Sequence, residues 1–193
     1  MIATLEGTLD RRGIDSAIIK VGGIGFDVHI PSLILDKVGA AGDNVLVYIH
    51  LHLKDDGVTL YGFSCQEELA LFRELISVSG VGPRAALSLL SSLDAQQLVA
   101  AITSENAAFI SQVPGIGRKI ASRIIIDLKS KLEKGWQETA LPLSQEDNDA
   151  LSALTSLGYS IREASHALGS LSCQAELSLE EKVKMALRQL SEG

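Results

Sequence analysis

The sequence predicts a multidomain α+β protein: a small five-stranded barrel, then a helical domain, then a separate bundle of three short helices. Three observations predict it. Apolar residues alternate at period 2 through the first third of the chain. At about residue 64 the period changes to that of helices, within a segment that repeats itself at an offset of 35. A polar, acidic run containing Pro142 then separates the last helical stretch from the rest. The divisions are residues 1–64, 65–135, a linker over 136–147, and 148–193.

The first block reads as β-structure. Residues 2–9 have strand composition, with turn residues over 10–13. Two further runs, 14–21 and 24–30, are joined by Gly22-Gly23, the signature of a tight hairpin whose two central residues need positive φ. Phe26, Val28 and Ile30 alternate with Asp27 and His29, so this strand buries one face. After Pro31, residues 32–38 form one or two helical turns. A long strand over 45–53, a turn over Lys54-Asp55-Asp56-Gly57 and a fifth strand over 58–63 complete the block. Five short strands with a small helix between the third and fourth match the order of an OB-type barrel, and an SH3-like barrel is the competing fold.

The second block is helical. Ser64-Cys65-Gln66-Glu67 reads as a capping box, followed by Leu69, Phe72, Leu75 and Ile76 at helix spacing. Pro83 suits the first turn of the next helix, where no amide hydrogen is needed. Asp94-Ala95-Gln96-Gln97 opens another helix and Ser104-Glu105 another. In the tail, helices are expected over about 148–157, from Ser160 and from Ser178, the last two again opened by capping boxes. Leu151, Leu154, Leu157, Ala164, Leu168, Val183, Leu187 and Leu190 supply their common core. Trp136 is read as an anchor at the end of the middle domain.

The middle block contains itself twice. FRELISVSGVGPRAALSLL (72–90) lies over AAFISQVPGIGRKIASRII (107–125), so that Val78, Gly80, Gly82, Arg84 and Ala86 correspond to Val113, Gly115, Gly117, Lys119 and Ala121. Each copy is an apolar helix, a Gly-apolar-Gly turn, a basic residue two positions on, and a second helix. The glycines permit positive φ and close backbone approach. The amides of the following helix's first turn then face outward, where an anion can accept from them. This is a tandem helix-hairpin-helix arrangement, suited to holding a nucleic-acid phosphate without reading bases. The candidate contacts are Gly80, Val81, Gly82 and Arg84 in the first copy, and Gly115, Ile116, Gly117, Arg118, Lys119 and Arg123 in the second. A dinucleotide fold is excluded: Ala85 and Ile120 stand where the third glycine of Gly-x-Gly-x-x-Gly belongs, and no strand precedes either turn.

Net charge is −7, which by itself argues against a polyanionic partner. Its distribution reverses that inference. Residues 1–64 carry −3 and residues 136–193 carry −5, whereas residues 65–135 carry +1, with Arg118, Lys119, Arg123, Lys129, Lys131 and Lys134 gathered at one end. Lys129, Lys131 and Lys134 read either as a helix end satisfying its dipole or as DNA contacts. No run of about 18 uncharged apolar residues exists, which excludes a membrane span, and the N-terminus lacks the order of a secretory signal, so the cytoplasm is expected. Two cysteines, Cys65 and Cys173, more than a hundred residues apart, give no expectation of a disulfide or thiolate metal site. His50 and His52 share one side of a strand. A metal there lacks a third ligand unless His29 supplies it, so neither metal nor cofactor is expected.

The stretches VGGIGFDVHIP, LKDDG followed by LYGF, ELISVSGVGPR and VPGIGRKIASRIIIDLK, in this order, resemble the RuvA family of Holliday-junction-binding subunits. The resemblance is specific over residues 1–134 and weaker in the linker and tail. It implies a non-catalytic homotetramer, one or two per junction, on a square-planar four-way DNA junction. Barrels would lie at the centre and hairpins on the arm backbones through the minor groove. The resemblance further implies that Asp55 and Asp56 are an acidic pin at the crossover, though the family more often pairs glutamate with aspartate there. The tail would dock the RuvB ATPase, with a RuvC resolvase in the same complex, acting in recombination and DNA repair. The chain has no Gly-x-x-x-x-Gly-Lys-Ser/Thr of its own, so ATP-driven work needs a partner.

Other readings of the same residues are plainer. Asp55-Asp56-Gly57 is ordinary turn chemistry. A DNA glycosylase or lyase can also carry a helix-hairpin-helix, and Asp127 is the one carboxylate just beyond the second copy, although its surroundings read as a packed helix. A duplex-binding accessory domain, without junction specificity, is a third reading.

Overall fold

Glycines 22 and 23 adopt φ of 56° and 89°, the backbone a two-residue hairpin demands, and join β2 (Ser16–Val21) to β3 (Ile24–His29). β2 also pairs with β1 (Thr4–Arg12), which pairs in turn with β4 (Asn44–Lys54), and β4 with β5 (Gly57–Phe63). β5 closes the barrel by pairing in parallel with β3, Val28 opposite Leu60 and His29 opposite Tyr61, giving the order β1-β2-β3-β5-β4. The connection from β3 to β4 carries α1 (Ser32–Val38), whose Ile34 and Leu35 are buried. The closed order and the position of this helix decide for the OB-type barrel.

These strands belong to a computed structural model that describes residues 2–54, 57–135, 145–159, 164, 167–168 and 179–191. The chain divides into two compact units, Met1–Ser130 and Lys131–Gly193. The expected acidic pin, Asp55 and Asp56, lies outside the described residues, as do Trp136 and most of the 136–147 linker.

One expected turn is strand instead. β1 continues through residues 10–12, with Arg11 opposite Ile18 and Arg12 opposite Ala17. The register shifts between Leu9 and Arg11, so Asp10 is the extra residue of a bulge. A bulge lets the strand bend around a small barrel, and an acidic residue there looks like a turn in the sequence alone. Inside the barrel, Leu9, Ile19, Val28, Val47 and Ile49 are almost wholly buried.

Five helices complete the first unit: α2 (Gln66–Ser77), α3 (Pro83–Ser92), α4 (Ala95–Thr103), α5 (Ala107–Ile110) and the start of α6 (Arg118–Gly135). The capping box expected at Ser64 and Glu67 does not form. Cys65 is the N-cap, and Glu68 reaches back, accepting from the Ser64 amide at 3.0 Å and the Ser64 hydroxyl at 2.7 Å. Glu68 is 3% exposed and also pairs with Lys37 of α1 at 3.4 Å. A buried carboxylate is tolerated because these donors replace its lost hydration. Asp94 and Gln97 do form the reciprocal capping box of α4. Ser104 and Glu105 do not open a helix: Ser104 ends α4, Glu105 takes φ of 57°, and Asn106 caps α5 through the Phe109 amide at 3.0 Å. Cys65 is a buried core residue, 3% exposed. The other cysteine, Cys173, lies outside the described residues.

In the second unit, α7 (Gln145–Ser156) and α8 (Leu179–Ser191) pack through Ala150, Leu154 and Ala186, with Val183 and Leu187 against them. Ala164, Ala167 and Leu168 are helical and buried in the same cluster, while Ser160 and Ser178 lie outside the described residues. Leu157, expected in this core, is 61% exposed. The helix stops at Ser156 and turns at Gly158, φ 99°, so Leu157 no longer follows the helical period.

His50 of β4 lies on the outer barrel face, 5.4 Å from the Phe72 ring of α2. Burial, then the charges of Arg73 and His52, hold its imidazole below the ordinary pKa of 6.5. The unfolded chain therefore binds a proton that the folded chain resists, and stability is expected to fall as pH drops through the unfolded value. Urea midpoints at about pH 7.5 and about pH 5.5 should diverge less in His50→Gln than in the unaltered chain. Equal divergence would place the linkage elsewhere.

Candidate nucleic-acid interface

The two copies of the repeat fold alike, bond for bond. In the first turn the Val78 amide donates to the Leu75 carbonyl at 3.1 Å, Val81 to Val78 at 3.0 Å and Ala86 to Gly82 at 3.0 Å. Thirty-five residues on, Val113 donates to Ile110 at 3.3 Å, Ile116 to Val113 at 3.0 Å and Ala121 to Gly117 at 3.0 Å. Val78, Val81 and Ala86 are buried, as are Val113, Ile116 and Ala121. The first helix differs in length: α2 has 12 residues and α5 only 4, because the left-handed Glu105 delays its start.

The four glycines have two different reasons to be glycine. Gly80 and Gly115 sit at φ of 92° and 84°, where a side chain is strained. Gly82 has φ −89° and ψ 173°, extended backbone that any residue adopts, and Gly117 is likewise outside the positive-φ set. A Cβ built on either would meet nothing within 4 Å. Nothing within the described chain therefore requires glycine at 82 or 117. What a missing side chain does provide there is room for an external group to reach the backbone. Gly82 is the N-cap of α3 and no side chain caps it, while Pro83 occupies the first position. The amides of Arg84 and Ala85 in that first turn are left for an outside acceptor.

The two turns brace one another. Ser88 of α3 donates its hydroxyl to the Pro114 carbonyl at 2.9 Å, and Arg123 of α6 donates to the Ser79 carbonyl at 3.4 Å. Ser88 corresponds to Arg123 under the offset of 35, and Ser79 to Pro114. Each second helix thus reaches the same carbonyl position of the other turn, the reciprocal pattern of two units related by an approximate two-fold axis. Ser79, Ser88 and Pro114 were not singled out from the sequence. Applying the repeat offset to them is the signal that finds the pair.

Of the predicted site residues, Arg84, Arg118, Lys119 and Arg123 are exposed, and among the described residues none forms an ion pair with a carboxylate. Their charge is available to a polyanion. Val81 and Ile116 behave differently. Their side chains are 4% and 3% exposed, and their amides are the ones donated to Val78 and Val113, so they hold each turn to the core. Lys129 pairs with Glu105, whose carboxyl is held below the usual range by that hydrogen bond and charge. This gives Lys129 a structural role of its own. Among the described residues no group of three His, Cys, Asp or Glu side chains is placed to hold a metal ion, and no single helix is long and apolar enough to cross a membrane.

Comparison with known proteins agrees along the whole length. Residues 1–62 match the RuvA N-terminal domain, 72–130 a SAM-like helix-hairpin-helix tandem, and 146–191 the RuvA C-terminal domain. The Holliday junction branch migration complex subunit RuvA of Dehalococcoides mccartyi is 44% identical over 188 residues, covering 97% of both chains. The chain belongs to the RuvA family. RuvA of Chloroflexus aggregans is 40% identical over 97% of both chains, and that of Ruminiclostridium cellulolyticum 36% identical over 98% of this chain and all of the relative. The tandem match contains both glycine turns and both mutual braces, and the RuvA N-terminal match contains all but the last residue of the closed barrel.

The two glycine classes make opposite predictions for stability. Gly80→Ala and Gly115→Ala should each cost about 1 kcal/mol, since alanine is strained at positive φ. Gly82→Ala and Gly117→Ala should leave stability unchanged or raise it by up to about 1 kcal/mol, by restricting the unfolded chain. Denaturant midpoints of the four variants measure this, and a loss at 82 or 117 comparable to that at 80 would reveal an internal requirement for glycine there.

Proposed function

We propose that this chain is the junction-binding subunit of a Holliday junction branch migration complex, gripping DNA backbone through the paired turns at Gly80–Gly82 and Gly115–Gly117. The observation that carries the reading is the pair of glycines, Gly82 and Gly117, that neither backbone strain nor packing explains. A phosphate approaching that closely accepts from first-turn amides while Arg84, Arg118, Lys119 and Arg123 supply charge beside it. The two strands of a duplex are related by local two-fold axes, so two turns related by an approximate two-fold can each hold one strand across the minor groove. Such contacts carry no base information, as a junction binder that must act on any sequence requires.

The chain is not itself an enzyme; ATP hydrolysis belongs to a separate RuvB subunit, and junction DNA and that ATPase are its partners. In the finer reading, residues 1–64 form the core of a homotetramer, one or two of which enclose the junction. Residues 65–135 hold the arms, 136–144 is a linker whose expected last three residues instead open α7, and the helices after it dock RuvB, with a RuvC resolvase joining the same cytoplasmic complex. Asp55 and Asp56, between β4 and β5 in the sequence, serve as the acidic pin, repelling crossover phosphates where water is partly excluded. The excess of negative charge elsewhere keeps DNA off the rest of the surface. The glycosylase reading has less support, because Asp127 is exposed on α6 beside exposed Ile126 rather than set in a base-sized pocket.

Charge reversal tests the grip. Arg84→Glu or Lys119→Glu should weaken binding alike on all sequences, and the double variant should nearly abolish it. A tetramer with eight turns, each neutralising about one phosphate, should show a log–log salt slope of roughly −7. Full affinity in a folded double variant, measured by fluorescence anisotropy, would remove the phosphate role.

The pin is tested separately. Asp55→Asn with Asp56→Asn keeps the turn chemistry and removes two charges per subunit. Binding to linear duplex should tighten more than binding to a four-way junction, so selectivity should fall while affinity holds or rises. An unchanged junction-to-duplex ratio at fixed salt would reduce the pair to an ordinary solvated turn.

A further inference from the structure

The small helix of the barrel holds the first hairpin by its base. α1 has only seven residues and is about 10 Å long. At its start, Ser32 donates its amide to the Ser91 hydroxyl at 3.1 Å and its hydroxyl to the Ser91 carbonyl at 3.4 Å. Near its end, Lys37 donates to the Glu68 carboxylate at 3.4 Å. Ser91 stands one residue before the end of α3, and Glu68 is the third residue of α2. These are the two helices of the first hairpin, so α1 meets both at the end away from the glycine turn.

A helix held at one end is a lever for the other. α3 has 10 residues, which sets its first turn about 15 Å from its docked end. A tilt of about 10° at the base would swing the Gly80–Gly82 turn by about 2.6 Å. That is nearly the length of a hydrogen bond, enough to take an amide away from an acceptor it had met. The second turn follows the first, because the Ser88 and Arg123 bonds tie the two together.

Apolar contact does not fix such an angle. Ile34 and Leu35 of α1 are buried and supply adhesion, but hydrophobic burial is non-directional and tolerates sliding. The polar bonds are directional. Glu68 is 3% exposed, and it takes its other two bonds from Ser64, the residue that follows β5. Its carboxylate is thus held by the barrel from two sides, and losing the Lys37 bond leaves a buried charge short of a donor.

We propose that α1 is an alignment bracket: the Lys37–Glu68 and Ser32–Ser91 contacts set the angle between barrel and hairpins, and through it the preference for a four-way junction over linear duplex. The inference rests on the junction-binding reading with four subunits. The arms of a junction leave its centre at fixed angles, so four grips must fit at once around barrels gathered there. An error of angle recurs at every grip, and a loss of about twofold at each multiplies to about tenfold or more. A single grip on duplex turns freely with its own barrel and loses little. Ser32, Lys37, Glu68 and Ser91 are positioning residues, and none needs to touch DNA.

The test compares a synthetic four-way junction with a linear duplex, by anisotropy at fixed salt. Lys37→Met/Ser91→Ala should bind the junction about tenfold more weakly, with duplex affinity within about twofold of the unaltered chain. Lys37→Arg, which keeps the charge pair, should keep most of the selectivity. Leu5→Ala, a core truncation elsewhere in the barrel, should lower the denaturant midpoint and leave the junction-to-duplex ratio unchanged. An unchanged ratio in the double variant overturns the proposal, as does an equal loss on both DNAs or the same fall in Leu5→Ala. If the double variant fails to fold, Lys37→Met alone, at an exposed position, decides by the same ratio. Arg84→Glu/Lys119→Glu is run alongside. If it abolishes binding to both DNAs while the bracket variants leave the ratio unchanged, the bracket fails and the junction-binding reading stands. If it leaves junction affinity intact, the junction-binding reading itself fails.

Discussion

The mutual brace between the two glycine turns is the constraint on which their paired arrangement depends. In the proposed grip one turn alone could meet a phosphate, but two must be held at one spacing to meet two strands. The reciprocal bonds from Ser88 to the Pro114 carbonyl and from Arg123 to the Ser79 carbonyl hold that spacing from both sides. Each bond contributes only about 1 kcal/mol. Their effect comes from position, because they tie the carbonyl just before each positive-φ glycine, where a small rotation would swing the following amides away. Arg123 does this with one end of a guanidinium that remains exposed, so the same side chain can order the turn and present charge to solvent.

Behind the turns, burial does the anchoring. Val81 and Ile116 stand between the two glycines of each turn, facing inward and donating their amides to the chain three residues back. The turn is thus apolar on the inside and bare backbone on the outside. This explains the Gly-apolar-Gly pattern more fully than flexibility does: one glycine is there for its φ, the other for its missing side chain.

The barrel is joined to the hairpins through polar contacts that are fully satisfied. Glu68, buried at the start of α2, takes two bonds from Ser64 and one ion pair from Lys37. Ser32 at the start of α1 meets Ser91 near the end of α3 through its amide at 3.1 Å and its hydroxyl at 3.4 Å. Removing one partner of Glu68 would leave a charge without compensation, which is far more costly than replacing the whole cluster with apolar groups. Such a joint favours a specific geometry over maximal stability. It holds the first hairpin turn near the barrel, where Arg84 is close enough for its charge to act on Tyr61.

The sequence by itself determined whatever depends on neighbours along the chain. Gly22-Gly23 specified its hairpin, Asp94 with Gln97 its capping box, and the offset of 35 both glycine turns, because φ preference, capping and repetition are local properties. It misread the end of β1, the start of α5 and the cap of α2. In those places Asp10, Glu105 and Glu68 take roles set by a strand partner, a left-handed backbone or a donor 31 residues away at Lys37. Only the tertiary structure decided which side of each turn is open, since a missing Cβ contact is invisible until the surrounding atoms are in place. It alone set His29 beside Tyr61, because a parallel pairing between β3 and β5 joins strands separated in sequence by β4. And it alone revealed that Ser88 and Arg123, unlike in chemistry, do the same work, because symmetry in space constrains position and not residue type.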